Sequence, residues 1–183
     1  MSWKEKLGTL ERQKEWDAAI ELMINTINHD PGDMDAYIYM NFLLMNLLVE
    51  EEYDDNKHNY YKTLAKKYFD ESYGKFSNNA EYLFFTATTA VMSEWFFGID
   101  VKDYEEMFQK AMLLEPNNLL YQRIYYMDLD KTIPSNKKGA MEYAKKVLAK
   151  DSPIQKALKI KGAVGAYLLE LMTNSSLEML GMK

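Results

Sequence analysis

The 183-residue chain contains no cysteine, and it has only four prolines, eight glycines and two histidines. The absence of cysteine excludes disulfide bonds and cysteine nucleophiles and favours a reducing compartment, so we expect a cytoplasmic protein. The longest apolar stretch, residues 42–49, is interrupted by Asn46 and is far shorter than the roughly 20 residues that span a bilayer. Residues 1–13 are too charged for a signal peptide. We therefore expect neither secretion nor a membrane partner.

Motifs of enzyme active sites are also missing. The chain has no glycine-rich phosphate loop, no nucleophile elbow and no zinc-protease motif. His29 falls in the last turn of a predicted helix, where the helix dipole favours it, and His58 follows two aspartates at the start of another helix. We expect no catalytic activity, no metal and no cofactor. The alternative is a helical enzyme or small-ligand-binding protein with an enclosed pocket around Trp95, Phe96, Phe97 and Tyr126.

The net charge of -6 is unevenly distributed. Residues 131–161 hold nine lysines against Glu142 and Asp151, a balance of about +7, which leaves about -13 for the rest. Only Arg12 and Arg123 can make bidentate contacts with phosphates, so we expect no nucleic-acid partner. The segment that we call the acidic connector contains Glu50, Glu51, Glu52, Asp54 and Asp55. It is a solvated connector, a patch for a basic partner or, because hard cations favour clustered oxygen ligands, a calcium site, although it lacks the alternating ligands and glycine of an EF-hand.

Apolar residues recur every three or four positions between proline and glycine turns, which predicts an all-α fold. The predicted helices cover residues 2–13, 15–28, 33–50, 57–75, 79–97, 101–114, 118–130, 136–150 and 154–174.

Helix ends repeat with a period near forty residues. Ile27, Met23 and Ala19 lie four, eight and twelve residues before Pro31, and equivalent positions precede Ser77, Pro116 and Ser152. A small residue at the third position lets two helices approach closely. One helix pair cannot bury its apolar face alone, so the repeat indicates stacked pairs that share a core.

These positions resemble the tetratricopeptide repeat (TPR) superfamily. Residues 15–20 and 27–31 resemble its second helix and terminal proline, and residues 108–116 repeat the pattern. The chain departs from the family in its repeat spacing, which exceeds the usual 34 residues, and in an insertion around residues 50–59. In addition, Ser77 and Ser152 replace the terminal proline, and Tyr104 replaces a small residue. The resemblance implies one TPR-like domain over residues 1–183: a right-handed solenoid of about four antiparallel pairs over residues 10–152, capped by a helix at 154–174.

In a TPR-like stack the first helix of each pair lines a concave face, which the resemblance makes the partner-binding face. The side chains assigned to it are Asp35, Ile38, Phe42, Met45, Asn46, Glu81, Phe84, Thr88, Arg123 and Met127. Aromatic residues, methionine and arginine are enriched in protein interfaces. Two alternatives remain: Phe42 and Phe84 are core residues, or the last helix fills the groove.

The expected function is a non-catalytic protein–protein interaction module that binds a partner protein through its concave face, its acidic connector or both. Immunity proteins that neutralise bacterial toxins include helical repeats of this kind, and an acidic edge suits a basic toxin domain. That assignment is an analogy at the level of the fold.

Overall fold

The structure is a computed structural model that describes residues 1–123, 126 and 132–182. Within these residues the chain is all-helical and contains no strand. A 3-10 turn at Glu94–Phe96 follows the fifth helix. The α-helices are α1 (Trp3–Gln13), α2 (Trp16–His29), α3 (Met34–Glu50), α4 (Asp55–Phe76), α5 (Ala80–Ser93), α6 (Val101–Leu114), α7 (Pro134–Leu148), α8 (Pro153–Lys159) and α9 (Gly162–Met179).

Side-chain caps set the starts of the central helices. The Asp33 carboxylate accepts a hydrogen bond from the Ala36 backbone N–H at 3.0 Å, and Asn79 caps α5 in the same way. Asp54 caps α4, which therefore begins two residues before the predicted position. These caps satisfy backbone donors that have no partner within the helix.

The chain packs as two compact units, residues 1–111 and 112–183, and the division falls within α6. In the first unit, α1 packs on α2, and α3 packs against α2, α4 and α5. The pair α3–α4 is antiparallel, because Tyr37 contacts Phe76 while Asn41, one turn further along α3, contacts Ser72. The central helix α3 is apolar on every side and buries almost every residue from Ala36 to Leu48.

In the second unit, α9 packs on α7 and α8. The predicted continuous helix over residues 154–174 is wrong, because the chain breaks between α8 and α9. Gly162 adopts a left-handed conformation with φ of 54° at this break. The chain then turns so tightly that Gly165 approaches the Leu158 carbonyl, and α9 continues to Met179.

Two further predicted helices differ from the structure or lie partly outside it. The helix predicted at residues 79–97 ends at Ser93 and continues only as the 3-10 turn. Of the helix predicted at residues 118–130, the structure describes residues 118–123 and 126, and residues 119–122 form turns. Across the described part of the chain, no helix has the length and apolar character needed to cross a membrane.

Candidate functional site

The apolar side chains assigned to a concave binding face are buried. Ile38, Phe42 and Met45 of α3 are 1%, 6% and 0% exposed, and Phe84 and Thr88 of α5 are equally inaccessible. Their expected exposure is wrong, because α3 and α5 pack against each other and α3 is covered by α2 and α4 as well. These five side chains belong to the core of the first unit.

The polar residues assigned to that face are half-buried. Asp35 forms an ion pair with Lys4 of α1, which fixes α1 against the start of α3. Asn46 and Glu81 lie on α3 and α5. None of the three forms part of an open groove with the buried apolar residues, so the structure does not bring the predicted set together as one accessible surface.

Arg123 and Met127 belong to the second unit by sequence. Arg123 is half-buried, and its Nε atom has no hydrogen-bond partner within the described residues. Met127 lies outside the described residues.

The acidic connector is exposed. Glu50, Glu52, Asp54 and Asp55 are open to solvent, while Glu51 is half-buried. Glu51 accepts a hydrogen bond from the Lys14 ammonium group at 3.2 Å. Neither Glu50, Glu52 nor Asp55 pairs with a cation of the described chain, so three carboxylates face solvent without a counter-charge.

The connector has a fixed conformation because both of its ends are held. Asp54 accepts hydrogen bonds from the backbone N–H groups of Asn56 and Lys57 at 2.9 and 3.0 Å. The Tyr53 ring meets the Tyr61 ring edge-on at a centroid distance of 5.1 Å. The Glu51–Lys14 ion pair ties the other side to the turn between α1 and α2. A short, anchored segment loses little conformational entropy when a partner binds.

The nearest lysine of α4 does not neutralise the connector. The Lys57 ammonium donates to the Asp17 carboxylate of α2 at 2.9 Å, and the Tyr61 hydroxyl donates to the same carboxylate at 2.8 Å. Both hydrogen bonds lower the pKa of Asp17, and the one from Lys57 has the larger effect. Burial and the hydrogen bond to Asp17 raise the pKa of Tyr61. Beside this cluster lies an open cleft of about 320 Å³ lined by Trp16, Asp17 and Lys57 among others.

The aromatic residues named for the alternative pocket belong to both units. Phe97 is fully buried and stacks on Phe69 at a centroid distance of 4.8 Å. Trp95, two residues earlier, is 59% exposed. Tyr126 belongs to the second unit, where it stacks on Tyr143 at 5.1 Å. The indole of Trp95 therefore forms part of an open surface.

The exposure of Trp95 was not predicted from the sequence. The predicted helix over residues 79–97 continues through Trp95 and Phe96, whereas α5 ends at Ser93. Gly98, which has φ of 72°, indicates that the chain turns after the 3-10 turn but not where α5 ends.

The two histidines lie in different environments. His29 is exposed at the end of α2, and the His58 ring packs edge-on against Phe96 at 5.7 Å. Within the described residues, no three metal-binding side chains come together to hold an ion.

Comparison of the chain with family models, with curated proteins and with solved structures finds no match. Its function is therefore inferred from the geometry of the molecule.

Proposed function

We propose that this protein is a non-catalytic protein-binding module whose acidic connector engages a basic partner protein. The observation that carries the proposal is the set of solvent-exposed carboxylates of Glu50, Glu52 and Asp55 on an anchored segment, none of them paired within the described chain. Carboxylates arranged in this way attract a cationic partner over long range and speed its capture.

We further propose that the helices form a TPR-like solenoid. Three successive helix pairs support this arrangement: α1 packs on α2, α3 on α4, and Phe84 of α5 contacts Phe108 of α6 at 5.6 Å. The small residues Ala19 and Ala65 are fully buried, as the repeat pattern requires. In this solenoid the apolar side chains assigned to the concave face belong to the core, and the acidic connector at the edge of the stack is the binding element.

The particular role that we propose is that of a cytoplasmic immunity protein. Many toxins that act on nucleic acids carry basic clefts, and an acidic edge of fixed shape complements such a cleft. The chain's acidic residues outside its lysine-rich segment provide the long-range field that rapid neutralisation of a toxin requires.

The experiment compares two purified double variants as bait in native lysate. Glu50→Gln with Glu52→Gln removes two connector charges, and the matched control, Glu21→Gln with Glu105→Gln, removes two exposed charges from α2 and α6. We expect the wild type and the control to retain the same basic protein, and the connector variant to associate with it about tenfold more slowly at low salt.

Equal association rates for the two double variants would overturn the assignment of the connector. For the immunity role, the captured protein is assayed alone and with one equivalent of this protein. Loss of its toxic or enzymatic activity on addition supports the role, and unchanged activity of the saturated complex rejects it.

A further inference from the structure

A second exposed surface lies beside the acidic connector. We call it the aromatic surface, and it consists of Trp95, Phe96 and His58. Trp95 is 59% exposed, whereas Phe96 and His58 are half-buried. The Phe96 ring lies 5.7 Å from the Trp95 ring and 5.7 Å from the His58 ring, measured between centroids, so the three rings form a continuous row.

The chain holds Trp95 outward by burying its neighbours. Phe97 is completely buried against Phe69 of α4, and Ser93 is buried at the end of α5. Gly98 then turns the chain with φ of 72° where a side chain would meet Lys66. Because the residues on both sides are fixed, the exposed indole is presented without a large entropic cost on binding.

Acidic residues lie next to members of the aromatic surface along the chain. The His58 backbone N–H donates to the Asp54 carbonyl at 2.9 Å, so that the connector leads directly into the turn that carries His58. Asp55 lies three residues before His58 on the same face of α4, and Glu94 immediately precedes Trp95. Lys62 and Lys66 are the exposed lysines in this part of α4, but Lys66 pairs with Asp70, and the half-buried Lys57 is engaged by Asp17. Asp55 and Glu94 therefore outnumber Lys62, the one lysine among these three without an ion pair in the described chain.

Elsewhere in the first unit, rings beside carboxylates hold a lysine. The Lys4 ammonium lies 5.4 Å from the Trp3 ring centroid and pairs with Asp35. The Lys75 ammonium lies 4.8 Å from the Tyr37 ring centroid and pairs with Glu71 at 2.8 Å. Lys57 makes the same pair of contacts with the Tyr53 ring and Asp17.

At Trp95 an exposed indole follows an acidic residue, Glu94, but no cation of the described chain lies over the ring. The chemistry that this surface fits is therefore a cation supplied from outside. An arginine suits it best, because a planar guanidinium group stacks on an aromatic face while it donates hydrogen bonds to a carboxylate.

We propose that the aromatic surface binds an arginine-bearing segment of the basic partner, with the guanidinium group over the Trp95 indole and beside Asp55 and Glu94. This inference rests on the proposed function and adds a specific anchor to the long-range attraction of the acidic connector. Arginine and tryptophan are the residue types that most often dominate binding energy in interfaces.

The test uses the heptapeptide Gly-Arg-Leu-Gly-Arg-Leu-Gly and its twin in which citrulline, a neutral isostere, replaces both arginines. Each peptide is titrated into the full-length ¹⁵N-labelled protein and followed by NMR, which detects binding in the millimolar range. The protein has three indole N–H signals, from Trp3, Trp16 and Trp95. The signal absent from Trp95→Ala identifies Trp95. We expect the arginine peptide to shift this signal strongly and the citrulline peptide to leave it nearly unchanged.

Variants separate the ring from the charges. We expect Trp95→Ala to weaken binding of the arginine peptide about fivefold, and Asp55→Asn with Glu94→Gln to weaken it about threefold and reduce its salt dependence. The matched control, Leu113→Ala, removes a side chain that is 76% exposed on α6 and should bind like the wild type. Because Trp95, Asp55 and Leu113 are exposed and Glu94 is only half-buried, each variant should keep the native dispersion of its spectrum.

The outcomes distinguish this inference from the proposed function. Shifts confined to the amides of the acidic connector would overturn the role of Trp95 and leave the proposed function standing. No shift in either region, together with equal association rates of the connector and control variants, would reject both. Sedimentation of the wild type as a dimer and of Trp95→Ala as a monomer would also overturn the inference, because the surface would then bind a second copy.

Discussion

The side-chain nitrogen of Asn41 donates a hydrogen bond to the Ser72 hydroxyl at 3.2 Å, inside the contact between α3 and α4. Both residues are completely buried. The Ser72 oxygen also lies 2.7 Å from the Tyr82 hydroxyl of α5, so one polar cluster connects three helices within an otherwise apolar core. Burial raises the pKa of Tyr82 to about 12, so its hydroxyl stays neutral near pH 7. Because a shift of one helix would leave these groups without partners, the cluster favours a single register.

We expect Ser72→Ala to lower the free energy of unfolding by about 1–3 kcal/mol, because the Asn41 amide and the Tyr82 hydroxyl would each lose a buried partner. Urea denaturation followed by circular dichroism measures the change. The control is Ser135→Ala at an exposed position of α7, which should leave stability within about 0.5 kcal/mol of the wild type. Equal stability of the two variants would show that the cluster does not stabilise the fold.

Phe42 provides the test of whether α3 is a core helix or a binding surface. We expect Phe42→Ala to lower the free energy of unfolding by about 3–5 kcal/mol, because its ring is only 6% exposed and its removal leaves a cavity. Trp95→Ala is the comparison, since its exposed ring should change stability by less than about 1 kcal/mol. A Phe42→Ala variant as stable as the wild type would return this position to the candidate binding residues.

The helix assignments from sequence succeed where the determinants are local. The predicted span of α6, residues 101–114, is confirmed, and α3 differs from its prediction by one residue because Asp33 caps it. The end of α5 at Ser93 was missed because Val91 to Phe96 contains neither glycine nor proline, so the sequence has no local signal for the 3-10 turn.

The binding site was only partly predictable for a different reason. A helix that is apolar all round, such as α3, does not reveal which neighbours cover it, so the exposure of Phe42 or Phe84 depends on tertiary packing. The exposure of Glu50, Glu52, Asp54 and Asp55 was predictable because burial of an unpaired carboxylate is costly. That these residues bind a partner stays a prediction.

Gly165 stands where α9 passes the end of α8, and a Cβ atom at this position would lie 2.0 Å from the Leu158 carbonyl oxygen. We expect Gly165→Ala to lower the free energy of unfolding by about 2 kcal/mol or more, since a backbone atom must move. The matched control is Gly74→Ala in α4, where an added Cβ meets no atom within 4 Å. It should stabilise the protein by about 0.5–1 kcal/mol, because alanine is the better helix former. Urea denaturation of both variants gives the comparison, and a stabilised Gly165→Ala variant would contradict the close approach.

Glu11 of α1 makes stability depend on pH. Burial raises the pKa of its carboxyl group from 4.5 to about 7, against the opposing effect of the neighbouring Arg12 guanidinium. Its charge also contributes, after burial and Asp35, to the raised pKa of Tyr39 on α3. Between pH 4.5 and 7 the unfolded chain ionises this group while the folded chain keeps it protonated. The contribution of Glu11 to the free energy of unfolding therefore falls as pH rises through this window and is constant above it.

We expect Glu11→Gln to remove this dependence, because the amide is neutral at every pH. At pH 8 the variant should be more stable than the wild type by about 1–2 kcal/mol. This value is smaller than the full linkage energy because the side chain is partly solvated. At pH 4 the two proteins should be nearly equal in stability. Urea denaturation between pH 4 and 8 measures the difference, with Glu15→Gln as the control at an exposed carboxyl. A difference that stayed constant with pH, or one that Glu15→Gln reproduced, would show that Glu11 does not titrate in a buried environment.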